Sequence, residues 1–208
     1  MNSGFFITLE GGEGTGKSTQ HRRITAWLRE RGRDVVETRE PGGTAIAEQI
    51  RRILLDSRNA ALDPKAELLL MFAARAQLLA EVIRPALTAG KVVLSDRFTD
   101  ASFAYQGGGR KLGAKSVALL EQLVHADLQP DLTLLFDMPV RDGLTRVAGR
   151  GESDRFEREP LDFFSRVRQA YLDRARDDPD RFVIVDAGGD ELEVWREVRE
   201  ALEKRMRS

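Results

Sequence analysis

Gly11-Gly12-Glu13-Gly14-Thr15-Gly16-Lys17-Ser18 decides how the rest of the chain is read. The stretch fits G-x-x-x-x-G-K-[ST], the pattern of a phosphate-binding loop. Its glycines let successive backbone N–H groups converge on phosphate oxygens. Lys17 is placed to neutralise the β and γ phosphates, and the Ser18 hydroxyl to reach a magnesium ion. The flanks agree. Phe5-Phe6-Ile7-Thr8-Leu9 predicts a buried strand before the loop, and Ser18 to Arg31 a helix after it, whose positive end faces the anion.

The composition allows one domain over residues 1–208, large enough to bury a core without staples. With 33 basic and 34 acidic residues the net charge is −1, which gives no global argument for a nucleic-acid partner. There is no cysteine, so disulfides, thiolate metal sites and cysteine nucleophiles are excluded. The longest apolar run, Leu68 to Ala74, is too short to span a bilayer. No leader peptide is evident at the start, and a soluble, cytoplasmic protein without a membrane partner is expected.

Strand and helix signals alternate along the chain. Strands are expected at Asp34–Glu40, Lys91–Ser95, Leu132–Phe136 and Phe182–Val185. Helices are expected after Thr44, from Pro64 to Ala89 with a break near Pro85, and at Ala114–Ala126, Pro139–Gly149 and Leu161–Arg176. A last helix carries the stripe Leu192, Trp195, Val198, Leu202 and Met206, taken as core. The face of the helix after Thr44 is Ile46, Ile50, Ile53 and Leu54. Gln106-Gly107-Gly108-Gly109-Arg110 reads as a polar loop, and Arg150–Pro160 as a solvated, mobile one. The alternation implies an α/β protein with a parallel sheet of about five strands, covered by helices on both faces. In such sheets ligands bind outside the carboxyl ends of the strands. The phosphate loop, Arg39-Glu40-Pro41, Asp96-Arg97 and Asp137 all fall there.

Several charged residues stand out in that cleft. Asp96, closing an apolar strand, is where a second magnesium-directed acid belongs, and Arg97 beside it suggests a second anion; the alternative, an internal ion pair capping the strand, loses ground beside a phosphate loop. Arg39 either grips a phosphate with both arms of its guanidinium or is a surface arginine before a turn, and the residue alone does not separate the two. Arg75 interrupts an apolar run, either as an amphipathic boundary or as a base-edge reader, with the boundary favoured by the residues alone. Arg150 and Arg155 lie in the charged stretch, either as solvated charges or as cations of a closing lid. His21 and His125 read as surface residues.

The whole set resembles the thymidylate kinase family, which phosphorylates dTMP to dTDP. The resemblance rests on Glu10 to Ser18, Thr38-Arg39-Glu40-Pro41-Gly42-Gly43-Thr44, Phe72-Ala73-Ala74-Arg75, Asp96-Arg97-Phe98, Ala104-Tyr105-Gln106-Gly107-Gly108-Gly109 and Arg150 to Glu157, in this order. It implies a P-loop kinase fold with ATP and Mg²⁺, and dTMP as acceptor. On it, Lys17 and the loop from Gly11 to Ser18 hold ATP, Glu13 faces the acceptor sugar, and Arg39 and Arg97 hold the acceptor phosphate. Ser18 and Asp96 serve the metal. Arg75 reads the thymine O4 edge, Gln106 bonds the N3 side with Ser102 in support, and Tyr105 crowds the 2′ position. Members often carry the stacking Phe four residues before that arginine. Here Phe72 lies three before and Met71 four, so both are candidates for the thymine face. The family places its catalytic arginine either in the phosphate loop or in the lid. Gly14 occupies the loop position here, which points to the bacterial lid-arginine type with Arg150 and Arg155 in residues 150–160. Homodimers are common in the family.

The alternatives weighed against this reading are a kinase for another nucleoside monophosphate, a P-loop switch or motor, and a structural α/β domain. A second anion site at Arg39 and Arg97 argues against the switch, and the phosphate loop against the structural domain.

Overall fold

Strand β1 (Phe5–Gly11) is the middle of a five-stranded sheet and ends where the glycine-rich loop begins. The computed structural model describes residues 4–148 and 154–206. Helix α1 (Lys17–Glu30) follows the loop, then β2 (Val35–Arg39), α2 (Ala45–Leu55), α3 (Pro64–Leu78) and α4 (Arg84–Thr88). Strand β3 (Val92–Asp96) leads to the short α5 (Thr99–Ser102), α6 (Ala114–His125), β4 (Leu132–Asp137) and α7 (Val140–Val147). The chain continues through α8 (Leu161–Asp177), β5 (Phe182–Asp186) and α9 (Glu191–Arg205).

The strand order is β2-β3-β1-β4-β5, and every pairing is parallel. β1 pairs with β3 on one side and β4 on the other; the chain leaves it toward β2 and later crosses over it from β3 to β4, so the topological switch point lies at its carboxyl end. Alternation along β1 divides the core. Ile7 and Leu9 join Ile24, Leu28, Val198 and Leu202 from α1 and α9 on one face. Phe6 joins Leu78, Leu79 and Ile83 on the other. Each such buried side chain contributes about 1.5–3 kcal/mol. The expected two-faced α/β architecture is what forms.

Helix starts follow their capping residues. The Thr44 hydroxyl accepts from Ala47 N at 3.2 Å, Asp63 caps a helix with Pro64 in its first turn, and Asp190 with Glu193 forms a capping box. The expected break near Pro85 takes the form of a wider π-helical turn at Leu79–Ile83. It realigns the backbone before a residue that lacks an N–H.

Several expectations are corrected. The stretch Gln106 to Gly109 is not a loop. Phe103–Gly109 is a buried π-helical segment packed on α8. A Cβ on Gly109 would lie 2.5 Å from Phe163, so the glycine run serves close packing. His125 is buried rather than at the surface, with Nε2 2.6 Å from Thr99 Oγ1 and Nδ1 3.0 Å from the Leu128 carbonyl. Burial first, then nearby Arg75, holds its pKa below the usual value. Ile46 and Ile53 face outward, as does Leu192, whose place in the α9 core is taken by Val194 and Ala201.

Candidate active site

A cleft of about 340 Å³ opens at the carboxyl ends of β1, β2 and β3. Its floor is the phosphate loop, where Gly16 stands in the left-handed conformation as the residue before α1. Lys17 folds back over the loop, its Nζ donating to the carbonyls of Gly11 at 3.0 Å and Gly12 at 2.7 Å. Glu13, Gly14, Thr15, Gly16 and Ser18 line the same cleft.

Arg97 lies at the centre. It directly follows β3, with a backbone φ of 73°, and its N–H bonds the Leu9 carbonyl. The left-handed conformation is strained for a residue with a side chain. It turns the guanidinium toward the loop, where Nη1 donates to the Gly11 carbonyl and Tyr171 hydroxyl, and Nη2 to Glu13 Oε1 at 2.8 Å. Tyr105 also donates to Glu13 Oε1, at 2.7 Å. Burial works to raise the Glu13 pKa, but Arg97, Lys17 and the Tyr105 hydrogen bond overcome it and hold the carboxyl below the usual range. Glu10, missed in the sequence reading, supports this turn from beneath. Its two oxygens accept from Phe98 N and from Tyr171 Oη, both at 2.7 Å.

Arg75 projects from α3 into the back of the cleft. It is buried, with Nε 2.8 Å from Glu40 Oε2 and Nη2 3.0 Å from Ser102 Oγ. Its Nη1 has no hydrogen-bond partner among the described residues, and neither has Glu40 Oε1. An unpaired donor with that burial is costly unless a ligand meets it. The boundary role for Arg75 is therefore set aside. Met71 lines the cleft, whereas Phe72 does not; the Phe72 ring lies under the Arg75 guanidinium, 4.4 Å from its carbon. Gln106 and Ser102 line the cleft beside it, and Arg39 stands at the mouth, its Nη2 2.9 Å from Glu48 Oε1.

Residues 154–157 border the cleft through Asp154, Phe156 and Glu157, but Arg155 points away. Its Nε donates to the Leu54 carbonyl at 2.9 Å and its Nη2 is 2.6 Å from Glu67 Oε2. The expectation of a solvated charge run fails here, because Glu67 is a buried carboxylate in need of cations. Arg150 lies outside the described residues. Arg155→Ala is expected to lower stability by about 3–5 kcal/mol, since it strips a cation from a buried acid. Chemical denaturation checks this; a loss of kcat at unchanged stability would return Arg155 to the cleft.

Asp96 and Ser18 also line the cleft, and Asp96 Oδ1 is buried without a hydrogen-bond partner among the described residues. A hydroxyl and a free carboxylate oxygen suit Mg²⁺, which takes few protein ligands and keeps its waters. No cluster of three or more His, Cys, Asp or Glu that could hold another metal occurs among the described residues.

A loop for one set of phosphates thus faces a second cationic wall, Arg39 and Arg97, across a pocket closed by Arg75 and Gln106. Two separate cationic surfaces facing one cleft suit a donor and an acceptor phosphate, which defines the class: a P-loop nucleoside monophosphate kinase. The family profile described as thymidylate kinase matches residues 9–198. A thymidylate kinase of Pseudomonas putida is 58% identical over 196 residues, covering 94% of this chain and 93% of the relative. One of Pseudomonas entomophila is 60% identical over 185 residues, covering 89% and 88%. Among solved structures, thymidylate kinase from Ehrlichia chaffeensis superposes with a TM-score of 0.80 at 32% identity, covering 96% of this chain and 99% of that one. The chain belongs to the thymidylate kinase family.

Among the described residues no helix is long and apolar enough to cross a membrane.

Proposed function

We propose that the protein transfers the γ-phosphoryl group of ATP to dTMP, giving dTDP and ADP, as a cytoplasmic step of dTTP synthesis. The observation that carries the reading is the free Nη1 of buried Arg75 beside Gln106 in the cleft wall. A guanidinium donor suits the thymine O4, and an amide suits its N3–H. The acceptor phosphate lies against Arg97 and Arg39, and its own oxygen attacks in line, with no side-chain nucleophile. Lys17 and the loop amides hold the donor phosphates. Glu13 fixes the acceptor sugar, and Tyr105 stands where a 2′-hydroxyl would lie. Mg²⁺, held through Ser18 and Asp96, supplies neutralisation of the donor phosphates when bound. Residues 150–160 act as the lid of a single domain over 1–208, with Arg150, which lies outside the described residues, as the candidate transition-state cation. A coupled assay across dTMP, dUMP, dCMP, dGMP and dAMP tests the proposal: dTMP is expected to give the highest kcat/KM, and a purine preference would overturn it.

A homodimer belongs to the same proposal. Leu69 of α3 and Leu119 and Leu123 of α6 are 57%, 73% and 78% exposed on helices that pack together. Exposed leucines on two packed helices suit a face that a second copy of the chain covers. Sedimentation is expected to show a dimer that Leu123→Glu dissociates; a monomeric parent protein would refute it.

Burial, with Arg97 beside it, brings the Lys17 ammonium down to about 8. Above that pH the free enzyme holds a neutral lysine, and binding ATP must take up a proton to restore the cation. The ATP dissociation constant is expected to rise up to about tenfold per pH unit above 8. Calorimetry in two buffers of different ionisation heat reads the uptake directly; none at pH 9 would contradict the assignment.

A further inference from the structure

Glu67 lies in the first turn of α3, buried with no exposed surface, and nothing in the local sequence explains it. Five contacts from three side chains converge on its carboxylate. Gln106 Nε2 donates to Oε1 at 2.8 Å, and Arg110 Nε lies 3.3 Å from Oε1 and 3.2 Å from Oε2. Arg110 Nη2 is 3.1 Å and Arg155 Nη2 2.6 Å from Oε2. A carboxylate clasped by two guanidiniums accepts hydrogen bonds and offers none. It therefore fixes Gln106, itself buried at the cleft wall, in one of its two amide orientations. The nitrogen must face Glu67, because turning the amide over would set two acceptors against each other. The oxygen is then the end left for the cleft.

We infer that Glu67 is the positioning residue that makes Gln106 an acceptor toward the ligand, so that the pocket selects bases with a donor at N3. The inference rests on the proposed placement of a pyrimidine edge against Arg75 and Gln106. Thymine and uracil carry a hydrogen on N3; cytosine carries a lone pair there and meets another lone pair. Arg110 and Arg155 keep the carboxylate in place, so discrimination at the base depends on three side chains that the base does not touch.

Glu67→Gln tests this. The arginines take the new amide's oxygen, its NH₂ faces Gln106, and Gln106 turns its own NH₂ to the base. The kcat/KM for dTMP is expected to fall about ten- to hundredfold. That for dCMP should fall less, so the dTMP-to-dCMP ratio narrows, by about tenfold. Glu67→Asp, still an acceptor only, should keep the ratio within about threefold whatever it does to kcat. An equal loss on both substrates in Glu67→Gln would reduce Glu67 to scaffolding and overturn the inference. The wild-type protein gives a test that needs no variant to fold. With ¹⁵N-glutamine labelling, the Gln106 side-chain NH₂ should exchange slowly and barely shift when dTMP is added. A large shift of those protons would mean that the nitrogen, not the oxygen, meets the base. N3-methyl-dTMP separates the two levels: if the wild-type enzyme accepts it as well as dTMP, the base-edge reading itself fails.

Discussion

Arg97→Ala is expected to lower kcat by about 10³-fold, the scale of removing a preorganised cation from a phosphoryl-transfer site. The guanidinium divides its arms between the Gly11 carbonyl and Tyr171 hydroxyl on one side and Glu13 on the other. It therefore ties the phosphate loop to the acceptor side of the cleft as well as supplying charge. Arg97→Lys keeps the charge but has no fork with which to span these partners, and should recover little of the loss. The backbone allows a further control. With φ at 73°, any residue bearing a Cβ is strained there and glycine is not. Arg97→Gly should therefore be more stable than Arg97→Ala by about 1 kcal/mol while being equally inactive. Steady-state kinetics with thermal melts on the three variants checks both halves. If Arg97→Gly kept kcat within tenfold of the parent, the guanidinium would not be the catalytic group.

This strain also shows what the sequence could reveal of the site. Asp96-Arg97 was recognisable because it closes an apolar strand, and the phosphate loop because its chemistry is carried by eight consecutive residues. The order of strands and helices followed from apolar runs and capping residues for the same local reason. What was not legible depends on distance along the chain. Glu67 meets Gln106 39 residues away and Arg110 43 away, so no window of sequence pairs them. Arg155 sits in a charged run whose composition says solvent, and only the buried carboxylate of Glu67 draws it inward. Tyr171 looks like one more aromatic on an amphipathic helix until its hydroxyl is found on Glu10, 161 residues back. Phe72 and Met71 are adjacent in sequence, and only the rotation of α3 decides that Met71 lines the cleft and Phe72 supports Arg75.

Gly143 has the same long-range character and carries the second large prediction. It lies inside α7, where replacing glycine by alanine ordinarily stabilises by about 1 kcal/mol. Here a Cβ would stand 2.3 Å from the carbonyl oxygen of Glu13, and a Cβ on Gly14 would stand 2.0 Å from the carbonyl oxygen of Gly143. Two backbones touch with no room for a side chain on either, and neither contact atom is the end of a flexible side chain that could swing aside. In Gly143→Ala the phosphate loop must move by up to about 1 Å to restore ordinary contact, at the residue that bonds Arg97 and Tyr105. A misplacement on that scale costs about 10²-fold in rate. The expected result is therefore a kcat/KM about 10²-fold lower with a melting temperature little changed, since helix propensity offsets much of the clash. The same contact explains why an arginine cannot occupy position 14: beyond its φ of 72°, the Gly143 carbonyl fills the space its Cβ would need. On the proposed reading, a further cation for the transferring phosphoryl group has to come from outside the phosphate loop. Kinetics near wild type in Gly143→Ala would show that the loop yields freely and would remove the packing argument along with it.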